Sequence, residues 1–505
     1  MSDRLNSLTS WHANWKGLRV AVLGLGVTGF AAADTLAELG ADVLVLAPEG
    51  DNERAGLVGV IGARLVQTDL SQVPVDLDEH HPEVLIVSPG FHPDHPLLEW
   101  AARNQVTVWG DIELAWRVRD KTGTPAEWIL VTGTNGKTTT VQLAAAMLAE
   151  AGLRVAPCGN IGVPVLDAVR DPQGFDVFVV ELSSYQLHYL GAQAGPDFVT
   201  PFSSACLNIA LDHIDWHGSF DAYVAAKGQV YDRTRVACVY NKSDSRTEAL
   251  LRDADVEEGA RAIGFDLGVP GPSDFGIVDG IVVDRAFLEE RSTSALEVTT
   301  VADLDAAGLA APHIVANVLA ASALARSYGV TPAQVRSALN KFRLDAHRIQ
   351  PVLTRNNISW INDSKATNPH AANASLGAYP SVVWILGGLL KGVDVGDLVA
   401  RHSDRLRGAV IIGKDRSAIL GAFERHAPHV PLAEVDADHT EDVMPQAVDL
   451  ASRLAVAGDV VLLAPAAASM DQFTDYAERG RLFSNAVRER WEGEADERPT
   501  NQPFA

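Results

Sequence analysis

Cysteine is scarce, with three residues (Cys158, Cys206 and Cys238) in a chain of 505. An odd number without paired-ligand spacing excludes a disulfide framework and a cysteine zinc site, and points to a reducing compartment. Long apolar runs are also missing: nothing approaches the roughly 18 uninterrupted residues of a membrane span. Residues 1–17, "MSDRLNSLTSWHANWKG", carry no apolar core of a signal peptide. A cytoplasmic protein is therefore expected; a monomer is the expected state. Positive charge is the third shortage. Lys plus Arg number 41 against 65 Asp plus Glu, a formal charge of −24. Such an acidic surface excludes nucleic acid and anionic membrane as bulk partners. An anionic substrate must then be held by local positive features: helix N-termini, a few Lys or Arg, or bound cations.

The composition that remains, 47% hydrophobic and 21% charged, is that of a globular protein. The length is too great for one core and implies about three domains. Strand-like runs "RVAVLG", "DVLVLA" and "EVLIVSPG" alternate with helical stretches in the first third, which reads as an open parallel sheet. "RDKTGTP" (119–125) reads as a linker. A second α/β unit begins at "EWILVTG" and includes "DVFVVEL" and "VACVYN"; Asp279-Gly280 between apolar runs signals a hairpin. Two helices follow, the second opening with Thr331 as N-cap and Pro332 behind it. A third alternation holds "ISWIND", "SVVWILGG", "GAVIIG" and "DVVLLAP", then an amphipathic helix through "RGRLFSNAVRERW".

Two glycine loops stand out. The first, "GLGVTG", places Gly24, Gly26 and Gly29 directly after a strand, with Thr28 between the last two. Its glycines suit a tight turn, close approach of backbone to a pyrophosphate, and helix–strand packing. A dinucleotide site also needs an acid at the end of the second strand for the ribose. Ala47 stands there, with Glu49 only after a proline. On the residues alone this is a Rossmann-like phosphate loop, with an NAD site and a ligand-free turn as alternatives.

The second loop, "TGTNGKTTT", ends like a P-loop in Gly136-Lys137-Thr138, but Val131 stands at the first glycine position and Gly133 lies only three before Gly136. The mechanics survive: a strand, small residues Gly133, Thr134 and Asn135, then a helix from Thr138 and Thr139 with its positive end on the anion. Lys137 is placed for the β- and γ-phosphates of ATP and Thr138 for Mg²⁺. Glu181, a lone carboxylate ending the apolar run "DVFVVEL", is expensive unless paired or on a metal, and is a second ligand candidate. Lys227 in "DAYVAAKGQVYD" reads, from the residues alone, as a solvated lysine on an amphipathic helix, and His213 as a structural histidine.

With "GLGVTG", "SPGF", "GTNGKTT", "GNIGVP", "ELSSYQL", "LDHIDWHGSFDAYVAAK", "HR", "NDSKATN", "LGGLLKG" and "APAAASMDQF…RG" in this order, the chain resembles the Mur ligases of peptidoglycan synthesis over nearly its whole length. The resemblance implies an α/β chain of three domains. These are a Rossmann-like UDP-substrate domain over 1–122, a central P-loop ATPase domain over 123–345 and a Rossmann-like lid for the amino acid over 346–491; 492–505 would be a disordered tail. It implies that the first loop holds uridine diphosphate and the second ATP. ATP would phosphorylate the carboxylate of UDP-N-acetylmuramoyl-L-alanine, and the amine of D-glutamate would displace phosphate from the acyl phosphate.

The resemblance also implies roles. Lys137, His213 and Lys227 would be catalytic. One Mg²⁺ would sit on Thr138 and Glu181, a second on His213 and a carbamylated Lys227. Ser88 and Asn160 would line the UDP-muramoyl side; His313 and Asn317 would flank the nucleotide, with Ile314 where the family has asparagine. Arg348, Asp363 and Lys365 would reach ATP when the last domain closes and excludes water. Thr367, Lys391, Ser469 and Tyr476 would grip D-glutamate, with Tyr476 where the family has Phe; read as structure alone, Ser469 caps a helix near 470–472. The family's acid is absent at Ala47, which leaves backbone N–H groups of 47–52 for uracil and ribose. Competing functions are another amino-acid-adding member of the family, a folylpolyglutamate synthetase, an NAD-dependent oxidoreductase, and a P-loop switch that forms no bond.

Overall fold

The structure, a computed structural model, describes residues 3–50, 52–191, 199–390, 392–437 and 439–491. Lys391 and the expected tail, 492–505, lie outside the described residues. The chain divides into two compact units, Met1–Phe342 and Arg343–Ala505.

The first unit holds two sheets. In the first sheet, β1 (Arg19–Leu23), β2 (Asp42–Ala47), β3 (Arg64–Gln67), β4 (Val84–Val87) and β5 (Thr107–Gly110) run parallel in the order β3-β2-β1-β4-β5. Residues 118–125, around the expected linker, form turns that lead to the second sheet. That sheet comprises β6 (Glu127–Thr132), β7 (Val155–Gly159), β8 (Val177–Glu181), β9 (Ser203–Cys206), β10 (Ala237–Asn241), β11 (Arg261–Phe265), β12 (Asp274–Val278), β13 (Ile281–Asp284) and β14 (Leu296–Thr300). Their order is β14-β13-β12-β11-β10-β9-β6-β8-β7, parallel except at β12–β13 and β13–β14. Asp279 and Gly280, both at positive φ (49° and 77°), make the hairpin between β12 and β13, as a type I′ turn requires.

The second unit carries one sheet built from β15 (Gln350–Arg355), β16 (Ile358–Asn362), β17 (Val382–Gly387), β18 (Leu406–Ile412), β19 (Leu432–Glu434) and β20 (Val460–Leu463). The order is β15-β16-β20-β17-β18-β19, with only β15–β16 antiparallel.

The unbroken apolar runs of the sequence follow from helices on both faces of these sheets. In the first sheet Val20, Val22, Val43 and Val45 face one core and Ala21, Leu23, Leu44 and Leu46 the other. In the second unit Val382, Trp384 and Leu386 of β17 face one core, Val383 and Ile385 the other. No helix among the described residues is long and apolar enough to cross a membrane.

The first glycine loop is fixed by close packing. A Cβ built on Gly29 would lie 2.1 Å from the Gly24 carbonyl oxygen, and Gly24 itself is at φ +93° with Ser88 Oγ 2.9 Å from its Cβ position. Gly26 caps the helix Val27–Glu38 and has open space over it. Gly29→Ala is therefore expected to destabilise the first unit by about 1–3 kcal/mol, while Gly26→Ala leaves stability nearly unchanged. Denaturant midpoints of the two variants check this, and equal midpoints would contradict the packing role.

Candidate active site

The second glycine loop lies at the carboxyl end of β6, between β9 and β8, and opens the helix Lys137–Glu150. Gly136 caps that helix at φ +84°, where a Cβ would fall 2.4 Å from Asn317 Oδ1. The buried Asn317, on the helix Pro312–Ser327, thus lies directly against the loop. Asn208 clamps the loop from the other side: its Oδ1 accepts from Asn135 N at 2.9 Å, its Nδ2 donates to the Asn135 carbonyl at 2.9 Å, and its own carbonyl accepts from Thr134 N at 2.8 Å. Thr134 Oγ1 meets the Tyr223 hydroxyl at 2.7 Å and accepts from Ala210 N at 2.9 Å. Reciprocal bonds of this kind fix the shape of the loop before any anion arrives.

Lys137 folds back over its own loop, with Nζ donating to the Gly133 carbonyl at 2.9 Å and to that of Thr134 at 3.0 Å. Lys227 reaches the same Gly133 oxygen, also at 2.9 Å, and Thr132 Oγ1 at 3.4 Å. It is 2% exposed at the end of the helix Phe220–Gly228, with its ammonium over the Tyr223 ring. A solvated surface position, the reading from the residues alone, is thereby corrected: Lys227 follows Tyr223 by one helical turn and shares its buried face. Burial, and then the charge of Lys137, lower its pKa from 10.5 to about 7; Cys206, Asp212 and Glu181 act in the opposite direction.

Glu181, at the end of β8, is 2% exposed. Its Oε1 accepts from Asn160 Nδ2 at 2.9 Å, whereas its Oε2 is buried with no hydrogen-bond partner. Asn160, expected on the substrate side, thus orients this carboxylate. An orphaned buried carboxylate oxygen beside a phosphate loop suits a divalent cation. Among the described residues no group of three or more His, Cys, Asp or Glu side chains is arranged to hold a metal. A Mg²⁺ ion needs no such cluster, because it takes one or two protein carboxylates and fills its shell with water and phosphate oxygens. Thr138 stands in the first turn of the loop's helix, half-buried, and the buried Thr139 follows it.

His213 sits at φ +53° before the short helix Ile214–His217. Its Nδ1 lies 2.7 Å from the Tyr185 hydroxyl and its Nε2 3.6 Å from Asp212 Oδ2. Burial pushes Tyr185 up to about 12, so it keeps its proton at neutral pH. The first glycine loop lies in the same unit. Ser88 Oγ is buried against Gly24 and Gly29 with no hydrogen-bond partner, while the partly buried Thr28 and exposed Gly26 line the open side. Ala47 ends β2 buried at 2% exposure; the one acid of that strand, Asp42, stands at its opposite end.

In the second unit Arg348 falls between two residues at positive φ, His347 (67°) and Ile349 (44°). For a β-branched isoleucine that is a strained backbone, of the kind held only where surroundings over-determine it. The surroundings are Asp363, which accepts from Ile349 N at 3.2 Å and from Ser375 Oγ, and Asn362, which meets His347 Nδ1 at 2.9 Å. Burial raises Asp363 to about 6 despite those bonds and the Arg348 charge. Lys365, expected at ATP, and Tyr476, expected at D-glutamate, come together: the ammonium lies 3.7 Å over the ring. Thr367 is half-buried close by in sequence, and Ser469 is 4% exposed. Ser469 caps no helix: residues 470–475 form turns and bends, and the helix begins at Tyr476. Lys391 falls on an undescribed residue.

Asn208, Tyr223, Tyr185 and Arg479 were not singled out from the sequence. Arg479 is fully buried and donates to Ser364 Oγ, the Ser364 carbonyl and the Ala467 carbonyl. The available signal for Asn208 was its place just beyond a strand, but that strand reads "SSAC" and shows no apolar pattern.

A preorganised phosphate loop, two lysines and a cation-seeking carboxylate at one end of a parallel sheet define a P-loop enzyme that uses a nucleoside triphosphate. The chain belongs to the Mur ligase family. Residues 131–325 match the Mur ligase middle domain, and residues 347–467 match the Mur ligase glutamate ligase domain. The chain is 66% identical over 502 residues to the UDP-N-acetylmuramoylalanine–D-glutamate ligase of Leifsonia xyli subsp. xyli, covering 98% of this chain and 97% of that one. A ligase of the same name from Streptomyces avermitilis is 52% identical, covering 94% and 99%. In fold the chain is similar to the UDP-N-acetylmuramate–alanine ligase of Thermotoga maritima (TM-score 0.55, 20% identity, covering 94% and 99%). It is also similar to the MurF ligase of Thermotoga maritima in complex with ADP (TM-score 0.53, 16% identity, covering 89% and 96%).

Lys227 makes stability depend on pH. Below about pH 7 both the folded and unfolded chains hold its proton. Between about 7 and 10.5 the folded site is neutral while the unfolded chain still binds one, so unfolding free energy rises with pH across that window. Lys227→Met is expected to flatten this rise by up to about 1.4 kcal/mol per pH unit. Denaturant midpoints at pH 7, 8 and 9 in carbonate-free buffer measure it; parallel curves for variant and parent would disprove the buried, deprotonating lysine.

Proposed function

We propose that the chain joins D-glutamate to UDP-N-acetylmuramoyl-L-alanine, using ATP and Mg²⁺, in the cytoplasmic synthesis of peptidoglycan precursor. The observation that carries this reading is the convergence of Lys137 and Lys227 on one carbonyl, that of Gly133, beside the orphaned oxygen of Glu181. Two lysine amines meeting on one neutral acceptor concentrate positive charge at the loop, which suits an incoming anion. Names of relatives 66% and 52% identical, covering nearly the whole chain, support the two organic substrates, and ADP in a structural neighbour supports the nucleotide.

On this reading Lys137 leaves the Gly133 and Thr134 carbonyls for the β- and γ-phosphates. The N-terminus of the helix Lys137–Glu150 holds the same anion, in a loop whose shape the bonds to Asn208 fix. Mg²⁺ would be held by Thr138 and Glu181, and by His213 with a carbamylated Lys227; it would supply neutralising charge between phosphate and carboxylate. A lysine with a pKa of about 7 is substantially neutral at physiological pH. Its amine can add CO₂, forming a C–N bond and releasing one proton. The substrate carboxylate attacks the γ-phosphorus and ADP leaves. The D-glutamate amine then attacks the acyl carbon, and phosphate leaves as the amide forms.

The glycine loop at 24–29, with Ser88, takes the uridine diphosphate. Asn317 keeps the nucleotide loop in place. Thr367 and Ser469 offer neutral donors to the glutamate carboxylates, with Arg348, Asp363 and Lys365 serving ATP. In these terms 1–122 binds the UDP substrate, 123–345 binds ATP and 346–491 handles the amino acid.

Phosphate release with UDP-N-acetylmuramoyl-L-alanine and a panel of D-Glu, L-Glu, L-Ala and diaminopimelate tests the function. D-Glu alone is expected to support turnover, and preference for another amino acid would move the chain to a different branch of the family. Lys137→Ala is expected to lower kcat by about 10²–10³ or more with an unchanged melting temperature. A variant near parental activity would remove the lysine from phosphoryl transfer.

A further inference from the structure

The acid that normally reads the nucleoside is missing at Ala47, yet the first sheet presents a carboxylate one strand away. Thr68 N donates to the Ala47 carbonyl at 3.0 Å, so the chain leaves β3 beside the end of β2, and Asp69 is the next residue. Asp69, Leu70 and Ser71 line a cavity of about 520 Å³, together with Pro48, Phe91, His95 and Pro96. Its walls therefore come from the carboxyl ends of β2, β3 and β4, where open parallel sheets place ligands. It adjoins the glycine loop, because Phe91 Cε2 lies 3.1 Å from the Cβ position of Gly24.

The cavity is built for a polar planar group. Ser71 N donates to Asp69 Oδ1 at 2.9 Å and Ser71 Oγ to Oδ2 at 2.8 Å. The carboxylate is thus fixed in orientation and keeps free lone pairs on both oxygens. The same bonds hold its pKa below the usual value, so it is ionised at neutral pH. His95 Nδ1 accepts from Leu97 N at 3.3 Å, which leaves the ring proton on Nε2 as a donor, and burial keeps the ring neutral. Phe91 packs edge-on against His95 at 4.9 Å, and its carbonyl accepts from the Tyr189 hydroxyl at 2.6 Å. One anionic acceptor, one neutral donor and an aromatic wall match a uridine, which offers a ring N–H, two carbonyls, ribose hydroxyls and a flat face.

We propose that Asp69 is the nucleoside-reading acid of this chain, taking a donor of the uridine (ring N–H or ribose hydroxyl) in place of the acid missing at Ala47, with the base in the cavity against Phe91 and His95. The proposal rests on the reading that the loop at 24–29 holds uridine diphosphate.

Calorimetric titration of UDP-N-acetylmuramoyl-L-alanine into the full chain, with UMP, CMP and dUMP as competitors and ATP as control, tests it. Asp69→Asn and Asp69→Ala are expected to weaken the UDP substrate by about ten- to a hundredfold, the loss of a charge-assisted contact, with ATP affinity unchanged. Ser71→Ala, which only loosens the carboxylate, is expected to weaken it by a few-fold. Loss of preference for UMP over CMP in Asp69→Asn assigns the contact to the base, and loss of preference over dUMP assigns it to the ribose; either supports the proposal. Parental affinity in both Asp69 variants would overturn it. A parent chain that binds ATP but not the UDP substrate would instead bring down the reading of the first loop.

Discussion

Two lysine amines share the carbonyl oxygen of Gly133, and much of the first unit is arranged to make that tolerable. The protein carries a formal charge of −24, so it holds anions by local placement of charge rather than by its overall field. Lys137 is delivered by a glycine-capped helix N-terminus; Lys227 arrives from a different helix and is buried to the point of losing its proton near neutrality. Tyr223 ties the two together, since its ring lies under the Lys227 ammonium while its hydroxyl meets Thr134 within the loop. Shifting this helix would therefore disturb the phosphate loop and the second lysine at once.

The two glycine loops solve different problems with the same residue. Gly24 and Gly29 are required because strand, helix and Ser88 approach too closely for a Cβ. At Gly136 the obstruction is a side chain, Asn317, brought in by a helix from much later in the chain. The first loop depends on local packing; the second records a tertiary contact. Tyr189 adds a link between them, since it follows Glu181 on the next helix and its hydroxyl holds the Phe91 carbonyl beside the first loop.

What could be read from the sequence was whatever the backbone dictates locally. Glycine loops, the Asp279-Gly280 hairpin, and the Thr331 cap with Pro332 all show in the chain as they do in the structure, which adds Gln334 as the reciprocal partner of that cap. The two-faced burial of the parallel strands was legible as continuous apolar runs. Edge strands β3 and β19, and the polar strand β9, carry too little pattern to be seen. The burial of Lys227 was hidden for a different reason: a lysine in a last helical turn is ordinarily solvated, and only the arrival of Gly133 over it changes that. The turn at 470–475 shows the opposite error, in which a plausible cap precedes no helix. The resemblance pointed to Lys227 and His213, which periodicity alone leaves as a solvated lysine and a structural histidine.

Strand order in the second unit carries a consequence for synthesis. β20 lies between β16 and β17 although it is the last strand made, and the buried Arg479 behind it holds Ser364 in the segment that follows β16. As the chain is made, β16 beside β15 and β17 beside β18 therefore each keep one open edge until β20 arrives between them. The first unit has no such dependence, because both of its sheets are complete by residue 300. Synthesis from the N-terminus thus finishes the sheets of the first unit early and leaves the sheet of the second divided until β20 follows.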